Sequence, residues 1–272
     1  MLLNKFNILA VKMGGVKLRE LSLEGTQRCN IACEHCYKGT AQEVDLDPKV
    51  LTAAFEYFKD IEKIYLKGGE STMVAEPLRQ INKALGEHKT KLYTFGFVTN
   101  LTFLNEEFFD ILEDINAKCN PKGWSLERGV RIDISHDAWH AEAMQKIGKT
   151  YKDVENNYKT LRARHPRLQI NYRDWDEKIP AEIEPIGRGL NVSPLARKGS
   201  LKKLNTYFIK KAKELNSLYI NAKGDIINDF MSNAEGNQSE FGSVLQTPIT
   251  ELLIKNAYDT RWDYKEAVIT SL

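Results

Sequence analysis

LRELSLEGTQRCNIACEHCY, residues 18–37, sets the frame for the rest of the chain. Its first nine residues alternate apolar and polar, as a half-buried strand does, and the strand runs into a loop carrying Cys29, Cys33 and Cys36. The chain has four cysteines, and the remaining one is Cys119. Three thiols within eight positions, in a chain of this size read as cytoplasmic, suggest a metal more than disulfides.

Outward from this stretch the pattern repeats. A helix is expected from Pro48 to Phe58, with Asp45 or Asp47 as its N-cap, followed by a strand in IEKIYLKGGE. A helix from Glu76 to Leu85 stops at Gly86, and KLYTFGFVTN is the next strand. Asn105 to Ile115 reads as a helix, GVRIDISHD as a strand, and Thr150 to Arg164 as a helix. LQINYRDW and EIEPIGRG read as two further strands. Strand and helix alternating about five times predict an α/β fold, with right-handed crossovers and a parallel sheet covered by helices. Five or six units are too few for a closed eight-fold barrel, and periodicity alone does not choose between a partial barrel and a doubly wound sheet.

Beyond this region the reading changes. LYINAKGDIIN suggests a hairpin around Lys223-Gly224, and FGSVLQTPITELLIKNA suggests a strand edge and a helix. A boundary is expected near Leu190 to Lys203, with a core in residues 1–190 (lead-in 1–17) and a C-terminal α+β extension in 191–272. The 272 residues are 42% hydrophobic and 28% charged, which is a globular rather than a disordered composition. A formal net charge of +2 neither indicates nor excludes nucleic acid. No apolar run reaches the roughly 20 residues that span a bilayer. The N-terminus lacks the long apolar core and cleavage site of a signal peptide. No membrane association is expected.

Three thiolates at this spacing can wrap one corner of a cubane iron–sulfur cluster. Three ligands to four irons leave one iron open, as catalytic metals require. The alternative is zinc, with His35 as a fourth ligand. Zinc sites usually use two separated cysteine pairs, and this chain has no second pair.

Further motifs close successive strands. They are Gly68-Gly69-Glu70, Thr99-Asn100, Ser135-His136-Asp137 and Glu184-Pro185-Ile186-Gly187-Arg188-Gly189. Ligands of parallel α/β folds bind at these strand ends. The CxxxCxxC loop after a first strand, with Tyr37 behind the last cysteine and these motifs in order, resembles the radical S-adenosylmethionine (SAM) superfamily over about residues 18–190. This chain has Leu101 where many members carry a glycine after Thr-Asn.

The resemblance implies a partial (β/α)6 TIM-like barrel. It implies one 4Fe–4S cluster on Cys29, Cys33 and Cys36. SAM would be contacted by Tyr37, Gly68, Gly69, Glu70, Thr99, Asn100, Ser135, Asp137, Arg173 and Arg188. Reductive SAM cleavage, fed by an external flavodoxin- or ferredoxin-like electron donor, would yield a 5′-deoxyadenosyl radical that abstracts a substrate hydrogen. Pro-x-Gly-Arg and the C-terminal tail are similar to those of peptide-modifying members, although the cysteines for auxiliary clusters are absent. Substrate readings are therefore a peptide, epimerised or crosslinked, or else a nucleotide, nucleic acid or small metabolite; a non-enzymatic metal-binding protein is the remaining alternative. Cys119 is either a hydrogen-atom donor to a substrate radical or a spare thiol packed as a small hydrophobe. His140 would shape the substrate pocket or transfer a proton, or else serve structurally, and Asp137 would also suit a helix cap. Arg173 and Arg188 offer guanidinium groups to a carboxylate. The basic stretch KKLNTYFIKKAKEL reads as a solvated helix face.

Overall fold

The computed structural model describes residues 17–36, 38–119, 129–135, 137–172, 214–227 and 241–257. Six strands form one sheet: β1 (Lys17–Thr26), β2 (Asp60–Gly68), β3 (Lys91–Thr99), β4 (Gly129–Ile134), β5 (Gln169–Asn171) and β6 (Glu214–Ile220). Their order is β5-β4-β3-β2-β1-β6, and every neighbouring pair is parallel. The first five strands are laid down side by side in chain order, and β6 returns to the far side of β1. Because all strands run the same way, the ends of β1, β2, β3 and β4 meet along one edge, and the three cysteines follow directly on β1.

The helices are α1 (Pro48–Tyr57), α2 (Ala75–Glu87), α3 (Glu106–Lys118), α4 (Ala138–Gln145), α5 (Tyr151–Arg164) and α6 (Ile249–Ala257). A short 3₁₀ turn, Ser71–Met73, follows β2. Local chemistry starts most of them. Asp47 accepts from the Lys49 backbone N–H at 2.9 Å with Pro48 in the first turn, Asn105 accepts from Phe108 N–H at 3.3 Å, and Thr150 and Asp153 form a reciprocal capping box. Leu78, Ile81 and Leu85 of α2, and Phe108, Leu112 and Ile115 of α3, recur at helical spacing and are buried. They pack with Leu21, Leu23, Ile64, Phe95, Phe97 and Ile132 from one face of the sheet. β3 lies in the middle and is buried along almost its whole length, as a strand covered on both faces should be.

Two expectations are corrected and a third is extended. α2 does not stop at Gly86 but runs through it to Glu87, and the chain leaves the helix by Lys89, whose φ is +52°. The buried leucine–isoleucine stripe outweighs the roughly 1 kcal/mol that a helical glycine costs. The first arm of the expected C-terminal hairpin is β6, a strand of the main sheet. The hairpin itself forms where expected: the chain turns at Gly224 (φ +88°), Ile220 pairs antiparallel with Ile226, and Asn221 N–H and Ile227 N–H donate to Asp225 O at 3.0 Å and Tyr219 O at 3.1 Å. Asp45 does not cap α1; it takes the Thr26 hydroxyl at 2.6 Å and Arg28 Nε at 3.0 Å. The expected strand EIEPIGRG and the expected boundary near residue 190 lie outside the described residues. Among the described residues no helix is long and apolar enough to cross a membrane.

Candidate functional site

The loop between β1 and α1 is stitched down at its base and along its length. Gln27 N–H donates to Val44 O at 2.8 Å, and Gln42 N–H returns to Gln27 O at 3.0 Å. Arg28 clasps Asp45 and pairs with Glu43. Inside this loop Cys36 N–H donates to Cys33 O at 3.2 Å, a turn that brings these two cysteines to one side. The next residue described, Lys38, is buried. Its ammonium donates to the buried Glu24 carboxylate at 2.6 Å and to the Tyr219 hydroxyl of β6. Glu24 also accepts from Gln27 Nε2 at 2.8 Å and Ala222 N–H at 3.1 Å. The far side of the cysteine loop is thereby tied to β1 and β6 at once.

Gly68 and Gly69 are needed for a reason the sequence does not show. A Cβ on Gly68 would meet Thr26 O at 2.3 Å, and one on Gly69 would meet Arg28 O at 2.1 Å. The close approach these glycines permit is to the backbone that begins the cysteine loop, with Gly69 N–H on Thr26 O at 2.9 Å and Glu70 N–H on Arg28 O at 2.7 Å. The Glu70 carboxylate turns inward. It accepts from Thr72 N–H at 3.2 Å, the Thr72 hydroxyl at 2.6 Å, the Thr99 hydroxyl at 2.7 Å and Asn100 N–H at 2.7 Å. Burial pushes its carboxyl above the usual range, and these donors oppose that rise. Asn100 reaches across to the cysteine loop by donating to Asn30 Oδ1 at 3.0 Å. Leu101, at the position where many radical SAM enzymes carry glycine, has a left-handed backbone (φ +49°) and is fully buried.

At the end of β4, Ser135 N–H donates to Thr99 O at 2.8 Å. Asp137 does two things. One carboxylate oxygen caps α4 through His140 N–H at 2.9 Å, and the other holds His140 Nδ1 at 2.6 Å. Burial would raise the Asp137 carboxyl, but the His140 hydrogen bond and the His140 and His35 charges hold it down at about 2. The His35 ring stands edge-on to His140 with centroids 5.0 Å apart.

These parts enclose a cavity of about 290 Å³. Cys29, Cys33 and Cys36 line it together with Gly68, Gly69, Glu70, Thr99, Asn100, Ser135 and His140. None of the three is in a disulfide, and Cys33 is buried while the other two are half-buried. Four tetrahedral zinc–sulfur bonds of 2.3 Å would place sulfurs about 3.8 Å apart. Among the described residues the group of potential metal ligands that comes within 4.8 Å is His35, Asp137 and His140, not the cysteines. The wider spread of the three thiols around one cavity suits a multi-iron cluster better than a single zinc ion, so the donor set fits the expected group.

Most of the residues expected to form the site are therefore brought together. Asp137 supports it through His140. Tyr37, His136, Arg173 and Arg188 lie outside the described residues. Cys119 is elsewhere: it ends α3 beside Gly129, at the start of β4 and so at the opposite edge of the sheet. Burial pushes its thiol up to about 12, and it packs against the core as a small hydrophobe. That placement, away from the cavity, suits the second reading of Cys119, a spare thiol packed as a small hydrophobe. Lys38, Glu24 and Tyr219 were missed; the one local signal was an acid, Glu24, in an otherwise well-formed core strand.

No family model matches the chain. A segment of 105 residues is 25% identical to the uncharacterized protein MJ0907 of Methanocaldococcus jannaschii, spanning 37% of this chain and 37% of that protein's length. Among solved structures, native anSMEcpe with bound AdoMet and Cp18Cys peptide superposes with a TM-score of 0.55 at 13% identity, covering 89% of this chain and 81% of that one. Streptococcus suis SuiB bound to S-adenosylmethionine gives a TM-score of 0.45 at 10% identity, over 92% of this chain and 69% of that one. The first of these likenesses decides the architecture that periodicity left open: the chain shares the partial-barrel α/β fold of that structure.

Proposed function

We propose that the chain is a radical SAM enzyme that modifies a peptide. The observation that carries this reading is the convergence of three cysteines and the ends of β2, β3 and β4 on one cavity. Cys29, Cys33 and Cys36 would hold the 4Fe–4S cluster, and the Gly68-Gly69 turn, Thr99-Asn100 and Ser135 would seat SAM beside it. When bound, the cluster and SAM supply a 5′-deoxyadenosyl radical that takes a hydrogen atom from the substrate. Ile31, Leu66 and Val98 give the cavity apolar walls that limit access of water. Asp137 holds the His140 ring through Nδ1, which leaves Nε2 as the nitrogen available to move a proton at the cavity wall. The peptide substrate is supported by the fold shared with a peptide-bound neighbour. An external one-electron donor of flavodoxin or ferredoxin type would supply the electron.

The test is anaerobic cluster reconstitution, addition of dithionite and SAM, and chromatography for 5′-deoxyadenosine, with Cys33→Ala alongside. The wild type should produce 5′-deoxyadenosine and the variant none. A fully loaded wild type that makes none, and whose cluster shows no change in electron spin resonance on adding SAM, would sink the reading. With candidate peptides, deuterium incorporation or a mass change is expected. Salt-dependent binding of DNA or RNA in their place would move the substrate to nucleic acid.

A further inference from the structure

Asp137 stands between two imidazoles that reach it from different parts of the chain. His140 follows it on the first turn of α4, and the ring's Nδ1 lies 2.6 Å from Asp137 Oδ2. His35 comes from the cysteine loop, and its Nε2 lies 3.9 Å from the same oxygen. One donor atom from each of the three residues falls within 4.8 Å of the other two. The three side chains are between 12% and 19% exposed, so the group is sheltered but reachable from the cavity that His35 and His140 line.

The arrangement is held from outside the group. Asp137 Oδ1 is committed to the cap of α4 through His140 N–H at 2.9 Å, and this leaves Oδ2 directed at the two rings. The Tyr151 hydroxyl of α5 donates to the Asp137 carbonyl. An exposed ion pair, Lys146 with Glu34 at 3.2 Å, bridges the same two elements, from the residue after α4 to the residue before His35.

Two imidazoles and one carboxylate are a donor set for a divalent transition-metal ion. Zinc bonds of about 2.0–2.2 Å place tetrahedral donors about 3.4 Å apart. The 3.9 Å gap between His35 and Asp137 would close by about 0.5 Å, and the 2.6 Å gap between Asp137 and His140 would open by about 0.8 Å, to meet that spacing. Burial alone would raise the Asp137 carboxyl, yet the two imidazoles beside it hold it at about 2, so the carboxylate is ionised at neutral pH and offers its charge to a cation.

We propose that His35, Asp137 and His140 form a binding site for one divalent transition-metal ion, which clamps the cysteine loop to the start of α4. The ion takes the place of the proton held between Asp137 Oδ2 and His140 Nδ1, and that proton leaves to solvent. His140 Nε2 then carries the ring's one remaining proton and has no lone pair with which to accept another. The ion is therefore inhibitory wherever His140 has to accept a proton at the cavity wall; this consequence rests on the function proposed above, and the site itself does not.

The experiment adds one equivalent of zinc sulfate to the cluster-loaded full-length chain and removes unbound metal by gel filtration. Zinc and iron are counted by mass spectrometry, and X-ray absorption at the zinc edge reads the ligands. One retained zinc per chain is expected, with the iron kept and a shell of nitrogen and oxygen at about 2.0–2.2 Å. His35→Gln, Asp137→Asn and His140→Gln should each weaken zinc binding by at least about a hundredfold in competition with a chromophoric chelator, since even a change behind a ligand costs about 10–100-fold. No retained zinc, sulfur at about 2.3 Å in the shell, or affinity unchanged in both histidine variants would overturn the proposal. The count and the shell are read on wild type, so they decide even where a variant fails to fold. If no cluster assembles, the function proposed above fails, and the same zinc measurement on a chain carrying Cys29→Ser, Cys33→Ser and Cys36→Ser decides the site by itself: one zinc in a nitrogen–oxygen shell supports it, and no retained zinc overturns it.

Discussion

Four protein donors converge on the Glu70 carboxylate from the ends of β2 and β3. Glu70→Ala would leave Thr72, Thr99 and Asn100 groups buried without an acceptor. It should destabilise the chain by about 3 kcal/mol in urea unfolding, and Glu70→Gln by less, since one amide oxygen can still accept. A change under about 1 kcal/mol for the alanine variant would show that water replaces the carboxylate. That Glu70 follows two glycines at the end of a strand is plain from the sequence. That its carboxylate turns back into the protein is not, because two of its partners lie about thirty positions downstream. The same holds for Gly68 and Gly69, where the atoms that exclude a Cβ belong to Thr26 and Arg28.

Elements that begin with a cap could be read from their own residues, since a cap and the N–H groups it satisfies are within three positions. Asp47, Asn105 and Thr150 are of this kind. Asp137 adds a second role at the start of α4, because it also fixes His140. Its carboxyl is held at about 2, below its ordinary value of 3.8. For an acid whose folded value is depressed, the stabilisation is complete above the ordinary value and disappears as pH falls through the folded one. Asp137 therefore stabilises the fold above about pH 4, and this contribution should be lost between about pH 4 and pH 2. Asp137→Asn keeps the helix cap, which asparagine serves as well as aspartate, and by removing the charge should flatten that part of the acid-unfolding profile. An unchanged acid limb in the variant would mean that other carboxylates control it.

At the scale of the whole molecule, the Glu24–Lys38–Tyr219 contact joins β1, the cysteine loop and β6. Lys38→Met would leave the Glu24 charge buried and should cost about 3–5 kcal/mol, while adding Glu24→Gln should recover much of it. The double variant should also show a changed electron spin resonance signal of the reconstituted cluster if Lys38 positions the loop and does not merely stabilise the fold. The place of β6 gives a coarser test. A chain ending at residue 190 lacks β6 and leaves β1 as an unpaired edge strand of the parallel sheet. It should aggregate or elute as an expanded species in size-exclusion chromatography. A compact, monomeric truncated chain would instead support a core that folds independently of residues 191–272.

The sequence by itself determined the parallel α/β alternation, most helix starts, the cysteine loop and the strand ends on which the site is built, because each rests on periodicity or on groups close along the chain. Only the tertiary structure decided that β6 closes on β1, that Glu70 braces two strands, and that Cys119 sits at the far edge of the sheet. Those facts depend on contacts between residues tens to nearly two hundred positions apart. Local patterning carries no information about such contacts, because it specifies the face on which a residue lies but not which strand will come to lie beside it.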